Sequence, residues 1–412
     1  MRILFISNFY PPASRGGYEQ WCQEVAEGLR DRGHQVFILT STYRRANLTC
    51  PDPAWVQRGL FLEMEFASYK NAFQFFTLRK QREQQNLALL RYVMEEKAPE
   101  IILIWGMWNL PRSLPALAET LLPGRVVCYI GDYWPTLPSQ FDNYWNAPAR
   151  NFLTGFPKMV LKPFAKMVLA REQRSVLRLE HALFPSTFMR DELARKSIIP
   201  ANKGVIYGAI DTKNYRNQRN LANQKDVISL LYIGRLTHEK GVHTAIDAVG
   251  KLVREHGFRN VKLTIVGDGE PDYIDFLHQL VGQKKVVSFV DFWPAQPKET
   301  LPKLYHASDI FLFTSIWPEP FGRVIVEAMA SGVVVVGTSV GGAAEILSEN
   351  ENALLFTPDD PVSLSKQLKR LIESPQLRER LAASGRETAV NKFDIQRMTS
   401  EIETYLQALV TR

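Results

Sequence analysis

The stretch RILFISNFYPPASRGGYEQWCQEVAEGLRDRGHQVFILT, residues 2–40, decides the fold class of the chain. It opens with a short apolar run, which is followed by a loop containing proline and glycine. Apolar residues then recur at helical spacing as far as Gly33, and a second apolar run follows. A strand, a helix and a strand in this order form a βαβ unit, which predicts a parallel sheet with helices on its faces.

The same alternation of strands and helices restarts near residue 226 and fills the second half of the chain. A chain of 412 residues is also too long for one ordinary hydrophobic core. Turn-forming residues are concentrated over residues 200–215, between the two halves. We therefore predict an α/β fold of two facing doubly wound Rossmann-like domains with an interdomain cleft. The predicted boundaries are residues 1–205 and 206–394, followed by a C-terminal segment, residues 395–412.

Composition excludes several classes of protein. Fifty basic and 43 acidic residues give a formal net charge of +7, which favours contact with phosphates or acidic lipid. This excess is too small for a dedicated nucleic-acid binder, so no nucleic-acid partner is expected. The three cysteines are odd in number and far apart, which argues against a disulfide framework and favours the cytoplasm. No apolar run is long enough to span a membrane, and the first one is interpreted as a strand.

Several catalytic and cofactor motifs are absent from the sequence. It contains neither a DxD nor a paired-histidine motif, so no metal is expected. The first loop contains Gly16 and Gly17, whose N–H groups could hold a phosphate, but their spacing is not GxGxxG. A nicotinamide or flavin site is therefore not expected. No Cys/His pairing indicates a hydrolase-type nucleophile.

The stretch YIGRLTHEKGVHTAIDA, residues 232–248, places two cations in a loop between a strand and a helix. Arginine can bind two oxygens at once and lysine adds a mobile point charge, so Arg235 and Lys240 suit a dianionic group such as a diphosphate. The alternative is that both are solvated surface charges. Ligands of open α/β sheets bind beyond the carboxyl ends of the strands, which is where this loop lies.

The stretch WPEPFGRVIVEAMASG, residues 317–332, contains two acids eight positions apart, Glu319 and Glu327. A helix is predicted to begin near Phe321 or Gly322, and its first N–H groups would favour an anion or a hydroxyl. At a rise of ~1.5 Å per residue, Glu327 would lie roughly 8–9 Å beyond the helix start. This span fits an elongated ligand with polar ends. The alternative makes Glu319 a capping acid and Glu327 a surface residue.

Four stretches carry a resemblance to a known family: GGYEQWCQEVAEGL, GRLTHEKG, VGDGE and SIWPEPFGRVIVEAMASGVVVVGTSVGGAAEI. Together they resemble the family-four retaining glycosyltransferases, or glycosyltransferase group 1, which have the GT-B fold. The resemblance runs in order from residue 1 to about residue 395 and is strongest over residues 228–360. It implies an N-terminal acceptor-binding domain, a C-terminal nucleotide-sugar-binding domain and a C-terminal helix that crosses back to the first domain.

The resemblance also implies roles for individual residues. Arg235 and Lys240 match the pair that grips the donor diphosphate, Glu319 matches the acid that binds hydroxyls of the donor sugar, and Glu327 matches the acid on the nucleotide ribose. Catalytic roles would fall to Glu319, Lys240, Arg235 and Asp132. The further donor contacts implied are Gly16, Gly17, Gly267, Phe292, Phe321, Gly322, Arg323 and Val324.

The sequence departs from the family pattern at three positions. Gly131 stands where a histidine is often found, so Asp132 beside it is expected to serve near the sugar instead. Asp291 replaces a usual glycine in the base-binding turn, which leaves the base preference open. Arg323 replaces a usual apolar residue and adds a cation beside the expected phosphates.

The expected function is a retaining transfer of a sugar from a nucleotide sugar, with glucose as the first candidate sugar and a UDP derivative as the favoured donor. The acceptor would be a saccharide or a lipid-linked sugar in polysaccharide or glycoconjugate synthesis, and no cofactor is implied. The alternatives are a nucleotide-sugar epimerase, which needs no acceptor, and a non-catalytic partner that binds nucleotide sugars.

Residues 133–178 combine aromatic residues with basic ones. Six basic residues lie in the second part of this segment, and Glu172 is the acidic residue among them. These are Lys158, Lys162, Lys166, Arg171, Arg174 and Arg178. Such a composition is typical of a segment that lies on an anionic membrane surface. We therefore expect a cytoplasmic protein with peripheral contact to the inner face of the membrane. The alternative is a solvated helix with a loop that covers the acceptor site.

Overall fold

The computed structural model describes residues 1–13, 16–47, 51–65, 71–148, 152–172, 175–216 and 227–411. It contains two parallel sheets with flanking helices, which confirms the predicted pair of Rossmann-like α/β folds. Within the described ranges, none of the helices combines the length and the apolar character needed to cross a membrane.

The first sheet has seven strands, and all of its strand pairs are parallel. They are β1 (Arg2–Ser7), β2 (Gln35–Ser41), β3 (Val56–Leu60), β4 (Ile101–Ile104), β5 (Val126–Tyr129), β6 (His181–Phe184) and β7 (Asn202–Val205). Their order is β3-β2-β1-β4-β5-β6-β7. The chain therefore moves outward on one side of β1 and then returns to its other side, which creates a topological switch point between β1 and β4.

Within the part of the chain that the structure describes, seven helices accompany the first sheet. They are α1 (Gly17–Asp31), α2 (Asn71–Thr77), α3 (Arg79–Lys97), α4 (Ser113–Leu121), α5 (Gln140–Asn146), α6 (Phe152–Arg171) and α7 (Thr187–Arg195). The apolar run of β1 and the four residues of β4 are buried, as expected for strands covered by helices on both faces.

The second sheet has six strands, again all parallel. They are β8 (Ile228–Ile233), β9 (Val261–Val266), β10 (Val290–Trp293), β11 (Ile310–Phe313), β12 (Val334–Gly337) and β13 (Ala353–Leu355). Their order is β10-β9-β8-β11-β12-β13, so the switch point lies between β8 and β11. Crevices at such points are where open α/β sheets bind ligands.

The helices of the second half are α8 (Val242–Arg254), α9 (Pro271–Gln283), α10 (Leu301–His306), α11 (Arg323–Ala330), α12 (Pro361–Glu373), α13 (Pro375–Lys392) and α14 (Ile395–Val410). One large cluster of buried apolar side chains joins α8, α9 and α12 to the sheet. This core holds the carboxyl ends of β8 and β11 in fixed positions, and the candidate site is built on these ends.

The chain forms two compact units. The first contains residues 1–185, 190–206 and 399–412, and the second contains residues 186–189 and 207–398. Helix α14 begins in the second unit and ends in the first. Its Glu403 lies 2.8 Å from Arg32 and 2.7 Å from His34, and hydrogen bonds from these side chains lower the pKa of the Glu403 carboxyl. The final helix is therefore part of the structure of the first unit.

Candidate active site

Lys240 and Glu319 lie together at the switch point of the second sheet. The Nζ atom of Lys240 is 2.7 Å from Oε1 of Glu319, and 16% of each side chain is exposed. Lys240 ends a short 3-10 helix, His238–Lys240, in the loop after β8, whereas Glu319 belongs to the loop after β11. The structure therefore brings together two residues that the sequence separates by almost eighty positions.

The loops after β8 and β11 are joined directly by hydrogen bonds. The backbone N–H of Ile316 donates to the carbonyl of Glu239 over 2.9 Å, and the Thr314 hydroxyl donates to the carbonyl of Lys240 over 2.8 Å. Gly241 has a φ of 64°, and a Cβ atom there would lie 2.2 Å from the carbonyl oxygen of Thr314. Glycine is required at this position because the two loops approach so closely. This packing fixes the backbone position from which the Lys240 side chain extends.

Arg235 lies on the same loop as Lys240 but is exposed to solvent. Its backbone carbonyl accepts a hydrogen bond of 2.9 Å from the Tyr232 hydroxyl, which is buried beneath it. The loop is therefore anchored while the guanidinium side chain projects from it. Arg235 is available for an anion in a way that the paired Lys240 is not.

Gly267 is required by packing between neighbouring loops. A Cβ atom there would lie 1.9 Å from the carbonyl oxygen of Gly234, and the φ of Gly267 is 156°. Its N–H donates to the carbonyl of Trp293 over 3.0 Å. Close packing of these loops therefore explains why residue 267 is a glycine. Its predicted contact with a donor stays a prediction.

Helix α11 begins at Arg323, one or two residues later than the sequence predicts, because Gly322 precedes it with a left-handed φ of 112°. Phe321 is buried and its ring centroid lies 5.5 Å from that of Phe393. Val324 is half-buried in the first turn. The N-terminus of α11 therefore follows the loop of Glu319 directly.

Glu327 is buried inside α11, with 3% of the residue exposed. One carboxylate oxygen lies 3.0 Å from Nε of Arg323, and the other accepts a hydrogen bond of 3.0 Å from the Tyr305 hydroxyl. Burial and the neighbouring carboxylate raise the pKa of Tyr305 well above its usual range, so Tyr305 stays a donor. The alternative that Glu327 is an ordinary surface residue is wrong.

This arrangement also accounts for Arg323, which departs from the family pattern. It is buried and forms an ion pair with Glu327 one helical turn away, at a distance of 3.0 Å. The contact of Tyr305 with Glu327 was not predicted, because Tyr305 lies in α10, twenty-two positions before Glu327. Only the Arg323–Glu327 spacing, i and i+4, was visible in the sequence.

The loop that carries Glu319 is braced by the loop after β12. The N–H of Gly342 donates to the carbonyl of Glu319 over 2.7 Å. A Cβ atom on Gly341 or Gly342 would lie within 2.5 Å of backbone atoms of this loop. Gly341 and Gly342, in the loop after β12, therefore fix the backbone around Glu319 by close contact.

Phe292 lies on β10, half-buried, with its ring centroid 4.2 Å from the imidazole centroid of His278. Asp291 beside it forms an ion pair of 2.9 Å with Lys262. The aspartate that replaces the usual glycine therefore has a partner on the neighbouring strand. The predicted contact of Phe292 with a base stays a prediction.

In the first unit, Gly16 precedes α1 in an extended conformation and Gly17 is the first residue of that helix. The preceding residues, 14 and 15, lie outside the described ranges. A Cβ atom on Gly16 would meet the carboxylate of Glu19 at an ordinary 3.6 Å. The local structure does not demand glycine at position 16, so the predicted phosphate contact rests on the resemblance.

Gly131 and Asp132 follow β5. A Cβ atom on Gly131 would lie 2.5 Å from the ring of Tyr18, whose hydroxyl donates to the carbonyl of Trp105 over 2.7 Å. The tyrosine ring thus fills the space that a histidine at position 131 would need. Burial raises the pKa of Asp132 to about 7, so this carboxyl can exchange a proton near neutral pH.

A cavity of about 170 Å³ lies in the first unit, beyond the carboxyl ends of β3, β4 and β5. Its lining includes Glu63, Trp108, Asn109, Arg112 and Trp134. Burial, followed by the charges of Glu83 and Asp142, raises the pKa of Glu63 to about 7, although the N–H of Gln140 donates to it. The sequence analysis missed Glu63, which no motif marks.

Two family models match the chain. Glycosyltransferase Family 4 matches residues 15–214, and Glycosyl transferases group 1 matches residues 211–388. An uncharacterised glycosyltransferase of Methanocaldococcus jannaschii is 29% identical over 97% of this chain and 96% of its own length. A lipopolysaccharide core biosynthesis glycosyltransferase of Rhizobium meliloti, LpsE, is 34% identical over 45% of this chain and 51% of its own length.

Solved structures support the same fold. The Anabaena protein Alr3699/HepE, in complex with UDP and glucose, has a TM-score of 0.70 at 22% identity and covers 99% of this chain and 100% of its own. At this identity the likeness concerns the fold. Taken with the two family models, it shows that the chain belongs to the family-four, group 1 glycosyltransferases and has their GT-B fold.

Proposed function

We propose that this glycosyltransferase moves a hexose from a nucleoside-diphosphate sugar to a saccharide or lipid-linked acceptor, with retention of configuration and without a metal cofactor. The observation that carries the donor assignment is the Lys240–Glu319 pair at the switch point of the second sheet. The pair places a cation, which would bind a phosphate, beside a carboxylate, which would bind sugar hydroxyls.

The donor would extend along the carboxyl edge of β8 and β11. Lys240 and the exposed Arg235 would bind the diphosphate, and Glu319 would accept hydrogen bonds from the sugar. The N–H groups at the start of α11 would face the same anion. Glu327, held by Arg323 and Tyr305, would bind the ribose.

The chemistry needed is the departure of a diphosphate. Lysine and arginine beside the leaving group would stabilise its developing charge, an electrostatic effect that grows where water is excluded. An oxygen of the leaving phosphate would accept the proton of the acceptor hydroxyl. Asp132, whose pKa burial raises to about 7, is the proposed additional proton acceptor or donor.

UDP-glucose is the first donor to test. The Anabaena protein of the same fold was solved with UDP and glucose. Phe292 beside His278 is the proposed contact for the base. In the first unit, the cavity lined by Trp108, Trp134 and Glu63 is the proposed acceptor site, because aromatic faces and a carboxyl group suit a hydroxyl-rich sugar.

We also propose a cytoplasmic location with peripheral contact to an anionic membrane through part of residues 133–178. Arg174, one of the basic residues behind this expectation, lies outside the described residues. Such contact would bring the enzyme to a lipid-linked acceptor and to polysaccharide or glycoconjugate synthesis at the membrane.

A thermal-shift screen of UDP-, GDP- and ADP-sugars tests the donor. A ligand that binds only the folded state at a hundredfold excess over its Kd stabilises that state by about 2.7 kcal/mol. The Lys240→Ala variant should lose this shift and all transfer while remaining folded. Lys366→Ala, which removes an exposed lysine of the same unit, is the matched control. Near-normal turnover by Lys240→Ala would overturn the diphosphate assignment.

The products distinguish this proposal from its rivals. A transferase releases UDP in proportion to glycosylated acceptor and shows slow donor hydrolysis without acceptor. An epimerase would convert the donor without any acceptor, and a regulatory binding protein would shift in melting temperature without turnover. Either result would contradict the proposed transfer.

A further inference from the structure

Helix α6 is apolar on two opposite sides, which is unusual for a helix at the surface of a unit. Its inner side contains Leu161, Ala165 and Val168, which pack against the rings of Phe75, Phe141 and Trp145. This inner contact already satisfies the helix's need for burial. The outer side therefore requires a separate explanation.

The outer side of α6 exposes Phe156, Met159, Val160, Phe164 and Met167, and Met159 is 65% exposed. Positions 156, 160, 164 and 167 follow the i, i+4, i+8, i+11 spacing of one helical stripe. The neighbouring helix α2, which packs against α6, exposes Phe73 and Phe76, and Phe73 is 69% exposed. We call these seven side chains the α2–α6 surface.

The charged residues within α6 itself are all basic, and Glu172, which pairs with Arg79, follows its last residue. Residues 152–171 contain four basic residues and no acidic residue. Lys158 is turned inward, where it donates to the carbonyl of Ala147 over 2.7 Å. Lys166 and Arg171 are exposed, with Arg171 one helical turn after Met167 on the same side of α6, and Lys162 is half-buried. The outward side of α6 is therefore both apolar and cationic.

Three large aromatic residues of the segment that precedes α6 are not available to a partner. Trp134, Phe141 and Trp145 are all buried in the first unit. Of the aromatic residues within residues 133–178 whose side chains the structure describes, the exposed ones are Phe156 and Phe164 on the outer side of α6. The two phenylalanines of α2 join them from outside that segment.

We propose that the α2–α6 surface is the part of this protein that lies in the headgroup region of an anionic bilayer. The inference deepens the membrane contact proposed above by naming the surface, and it does not depend on the donor. The aromatic side chains and methionines would enter the boundary between headgroups and acyl chains, and Lys166 and Arg171 would extend to lipid phosphates. Charge complementarity favours this occupant over a second copy of the chain, whose identical surface would repel it.

Flotation with lipid vesicles tests the proposal on the whole protein. Wild-type protein should float with vesicles of phosphatidylcholine mixed with phosphatidylglycerol, and weakly or not at all with phosphatidylcholine alone. The variant Phe156→Ser/Phe164→Ser/Met167→Ser should bind at least about tenfold more weakly. Its control is Val287→Ser/Val362→Ser/Val390→Ser, which changes exposed valines of the second unit and should bind like wild type.

A second pair of variants tests the charge. Lys166→Glu/Arg171→Glu should weaken binding by at least about tenfold, since basic residues near an anionic surface are attracted to it and glutamates are repelled. Lys366→Glu/Lys392→Glu makes the same change in net charge on exposed lysines of the second unit and should have a much smaller effect. Raising the ionic strength from about 0.1 M to about 1 M shortens the screening length from ~10 Å to ~3 Å and should reduce wild-type binding.

Insertion itself is measured with Phe164→Trp and vesicles that contain brominated lipid. Additional quenching relative to wild type is expected for Phe164→Trp and not for the control Val390→Trp. Absence of wild-type flotation, or equal flotation of the serine variant and its control, would overturn the proposal. So would a wild-type dimer that the serine variant converts to a monomer in light scattering, since a second copy would then cover the surface. Each of these outcomes leaves the thermal-shift result for the donor unaffected.

Discussion

Replacement of Arg323 by methionine tests whether the Arg323–Glu327 pair behaves as a buried ion pair. Methionine keeps an unbranched apolar stem and removes the charge. Only 8% of the arginine side chain and 4% of the glutamate side chain are exposed, and the closest atoms are 3.0 Å apart. Without Arg323, the Glu327 carboxylate would keep the Tyr305 hydroxyl as a donor but would lose its counter-ion.

The expected magnitude follows from this burial. Removal of one partner from a buried ion pair costs about 3–5 kcal/mol of unfolding free energy, whereas an exposed i, i+4 pair contributes about 0.3–0.5 kcal/mol. We therefore expect Arg323→Met to destabilise the second unit by at least about 3 kcal/mol. The double variant Arg323→Met/Glu327→Gln leaves no unpaired charge and should recover most of this loss.

Hydrogen exchange of the slowest amides of β11 and β12 measures the unfolding free energy of the second unit separately from the first. Glu327→Gln completes the cycle and gives the coupling energy between the two residues. A loss below about 1 kcal/mol for Arg323→Met would show that the pair is effectively solvated. A double variant no more stable than the single one would also refute the reasoning.

Three further predictions concern stability. Gly267→Ala should destabilise the second unit by about 1–3 kcal/mol or more, because a Cβ atom would lie 1.9 Å from the Gly234 carbonyl oxygen. An unchanged midpoint of chemical unfolding would contradict this prediction. Glu63→Gln should raise the melting temperature of the first unit relative to wild type above pH 7 but not below pH 4.5, since the raised pKa of Glu63 favours the neutral acid in the folded state; equal gains at both pH values would refute the assignment. Glu403→Gln should cost about 1 kcal/mol at neutral pH in urea unfolding, and the difference from wild type should vanish as acidification protonates Glu403, whose pKa Arg32 lowers; a difference that persists in acid would count against the ion pair.

The features that local sequence determines were predictable. The apolar run of β1 and the helical spacing that ends near Gly33 are both present in the structure, because a βαβ unit is encoded by neighbouring residues. The proximity of Lys240 and Glu319 was also predictable from the sequence. Both follow strands of one parallel sheet, and the carboxyl ends of such strands lie at one edge.

The partners that come from distant parts of the chain were not predictable. Tyr305 reaches Glu327 only because α10 packs beside α11, and no periodicity marks that contact. Tyr18 fills the space next to Gly131 from a position 113 residues earlier. The sequence could show that the histidine is missing, but only tertiary packing shows what occupies its place.

The ion pair of Lys240 and Glu319 has a consequence for selectivity. In the free protein each group is the other's counter-ion, so entry of a donor is an exchange of partners. Under the proposed function, an intact nucleotide sugar satisfies both groups at once, through its phosphate and its hydroxyls. The nucleotide left after transfer would hold the lysine and leave the carboxylate unmatched. Glu319 would thus favour the intact substrate over the spent nucleotide, and re-formation of the internal pair would assist product release.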